Sequence, residues 1–320
     1  MLVTGGNGYV GRQLTRRLRR SGEVAVADSL RYGPWRFTDA EQEDLQLHRC
    51  DIRRADDVAQ LMMDFVPEVV VNLAAIHYIP ECEEKPGLTV DTNVLGTINL
   101  LLSCPPGSRF VLASSGAVYS PDELAHHEEH SALGPSDIYG FSKLHAEHYV
   151  RAIAAKRGLR AVIVRLFNVV GPGETNPHLL PEIVAQLQAG RRVVELGNMT
   201  PERDYIGVDD AARGFEAVAL GQAVEPGKTV VVNLGTSQAW SVGAVVEKLR
   251  RASGIDFEIR QDESRIRKVD RPVLLADNRR IAELFGWRPR QTLDDVLVQM
   301  WENPDVAEWL LERYRTKVAS

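Results

Sequence analysis

The sequence predicts an α/β protein: a doubly wound parallel sheet with a smaller α/β lobe over its mouth. Three observations predict it. Short apolar runs alternate with stretches of helical periodicity as far as Leu166. A glycine-rich turn stands between the first apolar run and the first helical stretch. The polar residues that stand out fall just after the apolar runs, at the carboxyl ends of strands, where open parallel sheets bind ligands.

Residues 2–4 read as a short buried strand. Gly5-Gly6-Asn7-Gly8-Tyr9-Val10-Gly11 follows at once, and Val10, Leu14 and Leu18 then repeat at helical spacing, with Gly22 as a stop. Gly5, Gly8 and Gly11 let backbone approach a pyrophosphate, whose charge meets the helix N-terminus, so the turn with Tyr9 and Val10 reads as a Rossmann-type cofactor site. Arg12, Arg16, Arg17, Arg19 and Arg20 read as a solvated face. The next strand, Val24 to Ala27, ends in Asp28-Ser29, about 20 residues after the glycines. A carboxylate there accepts ribose hydroxyls and repels a 2′-phosphate, which favours NAD; nearby Arg31 is the feature that would suit NADP.

Leu45 to Cys50 alternates like a strand and ends at Asp51-Ile52, expected at the adenine edge. Val58, Leu61, Met62 and Phe65 form a helical face stopped by Pro67. Val69-Val70-Val71 is a continuous apolar strand, as in a sheet covered on both sides, and runs into Leu73-Ala74-Ala75, small enough for close approach of a cofactor. A helix over 88–102 carries Asn93. Phe110 to Ala113 is a strand ending at Ser114-Ser115-Gly116-Ala117. A helix from about Ile138 to Lys156 follows, then a strand over 161–166 that leads to Phe167 and Asn168. Beyond Asn168 prolines break the pattern. Val230 to Leu234 reads as a return to the sheet, and the tail from Pro304 as one amphipathic helix presenting Val306, Trp309 and Leu310. The expected division is a cofactor domain over 1–168, rejoined by 207–236, with 169–206 and 237–320 forming the substrate lobe.

Composition narrows the function. At 320 residues with 44% hydrophobic and 26% charged content, the chain can bury a large core. A net charge of −6 argues against general nucleic-acid binding, so an anionic substrate needs local arginines. No apolar run is long enough to span a bilayer, and the chain opens on a strand and glycine loop, so a cytoplasmic protein without membrane contact is expected. Cys50, Cys82 and Cys104 are too scattered for a disulfide frame or zinc site, and His126, His127 and His130 read as a polar loop, not a metal site.

Tyr139 and Lys143 stand four apart on the predicted helix, on one face. A phenol is a poor base at neutral pH, and a fixed positive charge nearby favours the phenolate. Chance can supply that spacing; the surrounding glycine turn, Asp28 and Ser115 give it weight.

With these residues in place, the chain resembles the extended short-chain dehydrogenase/reductase family, in its nucleotide-sugar epimerase/dehydratase branch. The resemblance rests on TGGNGYVG at 4–11, Asp51-Ile52, NLAA at 72–75, NVLGT at 93–97, SSGAVY at 114–119, YGFSK at 139–143, RLFNVVGPG at 165–173, RDYIGVDD at 203–210 and GWRP at 286–289. It covers nearly the whole chain and implies bound NAD with a nucleoside-diphosphate sugar between two lobes. On that resemblance Tyr139 takes the proton from a sugar hydroxyl, Lys143 holds the nicotinamide ribose and lowers the phenol's pKa, and Ser115 hydrogen-bonds the reacting oxygen. It implies further cofactor contacts at His77, Asn93 and Phe167, and substrate contacts at Asn168, His178, Arg203, Arg267 and Asp270, with the arginines on the diphosphate. His77 reads as a hydrogen-bonded pocket wall in preference to an extra acid or base. His178 departs from the asparagine common in such epimerases. Related dehydratases carry an Asp-Glu pair where this chain has Gly116 and Ala117, which leaves a 4-epimerase or a 4-ketoreductase. A non-catalytic NAD-binding protein is the reading from another class. The resemblance also implies a homodimer through the helices from Leu88 and around Tyr139, with Leu101, Leu102, Ala146 and Val150 as candidate contacts.

Overall fold

The structure is a computed structural model and describes residues 1–174, 176–262 and 271–315. Thirteen strands are described. Seven form one parallel sheet: β1 (Leu2–Thr4), β2 (Ala25–Asp28), β3 (Gln46–Arg49), β4 (Val69–Asn72), β5 (Arg109–Ser115), β6 (Arg160–Leu166) and, later in the chain, β10 (Thr229–Leu234). Their order is β10-β6-β5-β4-β1-β2-β3. The direction of winding reverses between β1 and β4, which opens a crevice at their carboxyl ends.

Period-two alternation decides which core each side chain enters. Val3, Val26, Val71, Val111 and Val162 face one core, shared with Leu14 and Leu18 of helix Tyr9–Leu18 and with Phe215 and Val218 of helix Val208–Leu220. Leu2, Ala25, Val70, Phe110 and Ala161 face the other, against Val58, Leu61, Leu100, Leu101, Ala146 and Val150 of three further helices. Both faces are covered, so the central strands are mainly apolar, while the edge strand β3 is polar and exposed at its ends.

The remaining strands are β7 (Asn168–Val170), β8 (Val193–Leu196), β9 (Glu202–Gly207), β11 (Ala239–Ser241), β12 (Glu258–Gln261) and β13 (Val273–Leu274). β9 is the hub of the lobe, paired with β7, β11 and β13, while β8 and β12 pair separately. Helices Leu179–Gln188, Val242–Ser253 and Leu293–Glu302 close its core around Val184, Val245, Leu249 and Leu297.

Several expectations change. The helix over 88–102 is three pieces: Pro86–Val90, a π-helical turn at Asp91–Leu95, and Gly96–Ser103. The first helix stops at Leu18, ahead of Gly22, because the Arg20 and Ser21 amides fold back onto the Arg17 and Leu18 carbonyls. Its arginines are not one solvated face. Arg12 is buried and donates to the Asn7 carbonyl at 3.1 Å, while Arg17 pairs with Asp209 and Glu216. Residues after 237 do not all belong to the lobe, since Ile281 and Trp287 pack into the first core of the large sheet. The tail forms helix Glu308–Arg315, which buries Leu310 and Tyr314 and leaves Trp309 51% exposed. Of the four candidate dimer contacts only Leu102 is exposed; Leu101, Ala146 and Val150 are core.

Candidate functional site

A cavity of about 1170 Å³ runs along the carboxyl ends of the sheet and beneath the lobe. Its floor is made by strand ends. Gly5 has a φ of +69°, and a Cβ there would lie 2.6 Å from the Ala74 nitrogen, so β1 and β4 close on each other only through glycine. Gly8, Tyr9, Val10 and Gly11 continue the same wall. Asp28 ends β2 with its carboxylate accepting from the Leu30 amide at 2.9 Å and the Asn7 amide at 3.2 Å. Burial raises its pKa and those amides oppose the rise. Ser29, Asp51, Ile52, Leu73, Ala74 and Ala75 line the floor beyond it. Asp51 is held below the ordinary carboxylate range by Arg53, 2.9 Å away. A glycine cradle, a helix N-terminus and a carboxylate one strand away fit a dinucleotide.

Ser115 ends β5 and accepts from the Ala117 amide at 3.1 Å. Asp137 caps the helix Ile138–Arg157 through the Gly140 amide at 2.7 Å, which fixes the start of the turn carrying Tyr139. A Cβ on Gly140 would meet the Ala117 carbonyl at 2.6 Å, so this helix approaches the end of β5 unusually closely. Lys143 is 3% exposed, donates to the Ala113 carbonyl at 2.8 Å and lies 5.8 Å from the Tyr139 ring centre. Burial lowers its pKa to about 8. Burial also pushes the Tyr139 phenol well up, and the Ser115 hydroxyl pulls it back. The Lys143 ammonium is thus engaged with Ala113 while standing over the Tyr139 ring. One turn on, buried Glu147 accepts from Ser114 at 2.6 Å and from Arg165 at 2.9 and 2.8 Å, tying this helix to β5 and β6.

Asn93 is not in the cavity. The π-helical turn points it inward, where it spans the Ile76 amide and carbonyl at 2.8 and 2.9 Å and reaches the Ser142 hydroxyl at 2.9 Å. It braces the segment after β4 against the Tyr139 helix, and its neighbour Thr92 lines the cavity instead.

The roof comes from the lobe. Phe167, Asn168, His178 and Arg203 line the cavity. Arg267 and Asp270 lie outside the described residues. Arg203 donates to the Arg271 carbonyl at 2.8 Å. Arg271 was not singled out from the sequence, yet it is buried and donates to the Tyr119 carbonyl at 2.6 Å and the Ala117 carbonyl at 2.7 Å. Glu174, Asn176 and Arg313 also line the cavity and were missed. Alternating polar residues in a proline-bracketed loop were the available signal for the first two. Asn176 meets His77 Nε2 at 2.9 Å, and Glu174 meets His178 Nδ1 at 2.9 Å. The His77 ring is open to the cavity, and the protein atoms packed around it lower its pKa to about 4.

Among the described residues no group of His, Cys, Asp and Glu is placed to hold a metal, and no helix is long and apolar enough to cross a membrane. The three cysteines are buried free thiols.

Comparison with known proteins agrees with this geometry. Residues 1–235 match the model of the NAD dependent epimerase/dehydratase family. The UDP-glucose 4-epimerase of Streptomyces lividans is 33% identical over 320 residues, spanning 94% of each chain. The GDP-6-deoxy-D-mannose reductase of Pseudomonas aeruginosa is 27% identical over 95% of this chain and 97% of its own. The UDP-glucose 4-epimerase of Bifidobacterium longum, solved with NAD+ and UDP, superposes with a TM-score of 0.85 at 26% identity, covering 96% of this chain and 99% of the other. The glycine cradle, the Asp28 carboxylate and these likenesses lead to one conclusion: the chain belongs to the NAD-dependent epimerase/dehydratase family.

Proposed function

We propose that the protein is an NAD-dependent 4-epimerase of a nucleoside-diphosphate sugar. The observation that carries this reading is the end of β5: Ser115 stands beside Tyr139, and the next two positions are Gly116 and Ala117. Dehydration needs an acid and a base at those positions, and neither residue can move a proton. At Gly116 a Cβ would lie 3.1 Å from the Phe167 ring, which would have to shift to admit a side chain.

In this reading Tyr139 takes the proton from the C4 hydroxyl and Ser115 hydrogen-bonds the same oxygen as charge develops on it. NAD held by the glycine cradle and Asp28 would supply the hydride chemistry at C4. Lys143, with a pKa near 8, is mostly protonated at neutral pH and holds ribose hydroxyls. Asp28 accepts the adenosine ribose hydroxyls. On the roof Asn168, His178 and Arg203 hold the sugar nucleotide, and the same role is assigned to Arg267 and Asp270 from their place in the sequence. The cofactor domain then comprises 1–168 with 207–236 and the segment around Ile281 and Trp287.

A redox-neutral cycle fits the relatives that are UDP-glucose 4-epimerases. The reductase from Pseudomonas aeruginosa supports a second reading, reduction of a 4-keto sugar nucleotide at the same residues. Purified protein given UDP- and dTDP-hexoses should interconvert C4 epimers with no net coenzyme use, followed by chromatography and proton NMR. Stoichiometric NADPH consumption with a 4-keto substrate, and no epimer, would transfer the assignment to the reductase. We further propose a homodimer through the helices that expose Leu102, Phe141 and Tyr149. Sedimentation of Phe141→Glu protein as a monomer, against a wild-type dimer, tests it.

A further inference from the structure

Among the described residues four arginines line the cavity around the ends of β2 and β3: Arg31, Arg36, Arg49 and Arg53. Such a collar would suit the extra phosphate that distinguishes NADP from NAD. Three of the four are already held by carboxylates. Arg53 meets Asp51 at 2.9 Å, and Arg36 meets Asp305 at 2.9 Å. Arg31 pairs with Glu81, and its guanidinium lies 5.2 Å from the centre of the Tyr32 ring. The fourth, Arg49, is in register with Asp28 on the neighbouring strand.

Arg31 is the arginine that follows Asp28 most closely in the chain. The Leu30 amide donates to the Asp28 carboxylate at 2.9 Å, so the backbone folds back on the strand end at once. Leu30 has a φ of +56°, and the Gly33 amide donates to its carbonyl at 3.3 Å, closing a turn with Arg31 and Tyr32 at its two central positions. Both side chains leave that turn for one acceptor. Glu81 takes the guanidinium on one carboxylate oxygen and the Tyr32 hydroxyl on the other, the latter at 2.9 Å. Glu81 does not belong to the turn. It sits on helix Ile79–Glu84, whose Cys82 is fully buried and whose Glu83 accepts from the Ile138 amide at 2.8 Å. The acceptor is therefore anchored to the Tyr139 helix, and the arginine comes to it from a loop.

We propose that Glu81 selects NAD over NADP: by holding Arg31 it leaves the turn after β2 without a cation for a 2′-phosphate. Asp28 repels that phosphate at the strand end, and Glu81 neutralises the nearest group in the chain that could offset the repulsion. The planar fork of an arginine accepts a phosphate as readily as a carboxylate. Arg31 thus has two possible partners, and the protein supplies one of them in advance. Selection of this kind concerns the coenzyme alone and does not depend on which sugar reaction follows.

The test reads which coenzyme the protein keeps. Wild-type protein, Glu81→Gln, Arg31→Ala and the double variant are each incubated with equal concentrations of NAD and NADP⁺, with labelled NAD confirming that exchange is complete. Free coenzyme is removed, and the bound dinucleotides are released and quantified by chromatography. In Glu81→Gln the ratio of bound NADP⁺ to bound NAD should rise about tenfold or more over wild type, the effect of one charge-assisted bond to the phosphate. Arg31→Ala alone should not raise it, and in the double variant it should return to within about threefold of wild type. Melting temperature confirms each fold, and Glu81→Ser replaces Glu81→Gln if that variant is unstable. An unchanged ratio in the folded Glu81 variant overturns the proposal. So does a rise that persists in the double variant, because loss of the Glu81 charge or the action of Arg49 would then suffice without Arg31. A wild-type protein that already keeps NADP⁺ in preference to NAD overturns it as well.

Discussion

The floor and the roof of the cavity are built on different principles. The floor consists of strand ends and one helix, held by buried bonds: Lys143 to Ala113, Ser114 and Arg165 to Glu147, Asn93 to Ile76. Arg165 and Glu147 are 1% and 0% exposed. The roof adds loop and tail side chains whose polar pairs reach solvent. Arg313, 48% exposed, meets Glu182, and His178, 36% exposed, meets Glu174. A fixed floor suits chemistry that tolerates no misplacement. A roof of half-exposed pairs can be rebuilt for another sugar without disturbing the sheet.

The largest test of this contrast is chemical. Tyr139→Phe should lower turnover about 10³-fold or more while the protein keeps its NAD, read from the absorbance of the released cofactor. Unchanged turnover would remove the chemistry from the floor. Next is Arg165→Met, which leaves Glu147 buried without its main partner. Urea unfolding should show a loss of about 3–5 kcal/mol, and adding Glu147→Leu should recover most of it.

Lys143→Met gives a smaller effect with a defined sign. The folded protein lowers the lysine from 10.5 to about 8. Below pH 8 both folded and unfolded forms carry the proton, and the folded one bears the full penalty of burying it. Between pH 8 and 10.5 the unfolded chain binds more protons, so wild-type stability rises relative to a variant without the lysine. The variant should therefore be more stable by up to about 3 kcal/mol at pH 7, and the gain should vanish by about pH 10.5. A constant difference across that window would mean that burial is not the cause. The smallest effect belongs to the roof. Arg313→Ala should change stability by less than about 1 kcal/mol, because its pair is half exposed. A loss as large as that of Arg165→Met would erase the distinction between floor and roof.

The same division decides what could be read from the sequence. Strand, glycine turn and helix are contiguous, so Gly5, Gly8, Gly11 and Asp28 announce their place in a sheet of known twist. Ser115 and Tyr139 follow from strand-end and helix periodicity. Asn93 was misplaced because a motif conveys position along the chain and not winding, and a π-helical turn rotates the side chain inward. The Ala113 carbonyl as partner of the Lys143 ammonium was not legible, because spacing puts two residues on one face without saying which atom the ammonium meets. Arg271 depends on carbonyls about 150 residues earlier, a contact with no local signature. The wiring of His77 and His178 was equally hidden, since it needs a loop folded back over the end of β4.

The π-helical turn at Asp91–Leu95 houses one residue more than ordinary winding would need. Deleting one residue there would restore that winding without turning the helix beyond it, so Leu100 and Leu101 would keep their places in the core. Asn93 would lose the position from which it holds Ile76 and Ser142. The extra residue therefore serves the brace beneath the cavity floor and not the packing of the helix, and its loss should be felt in the segment after β4.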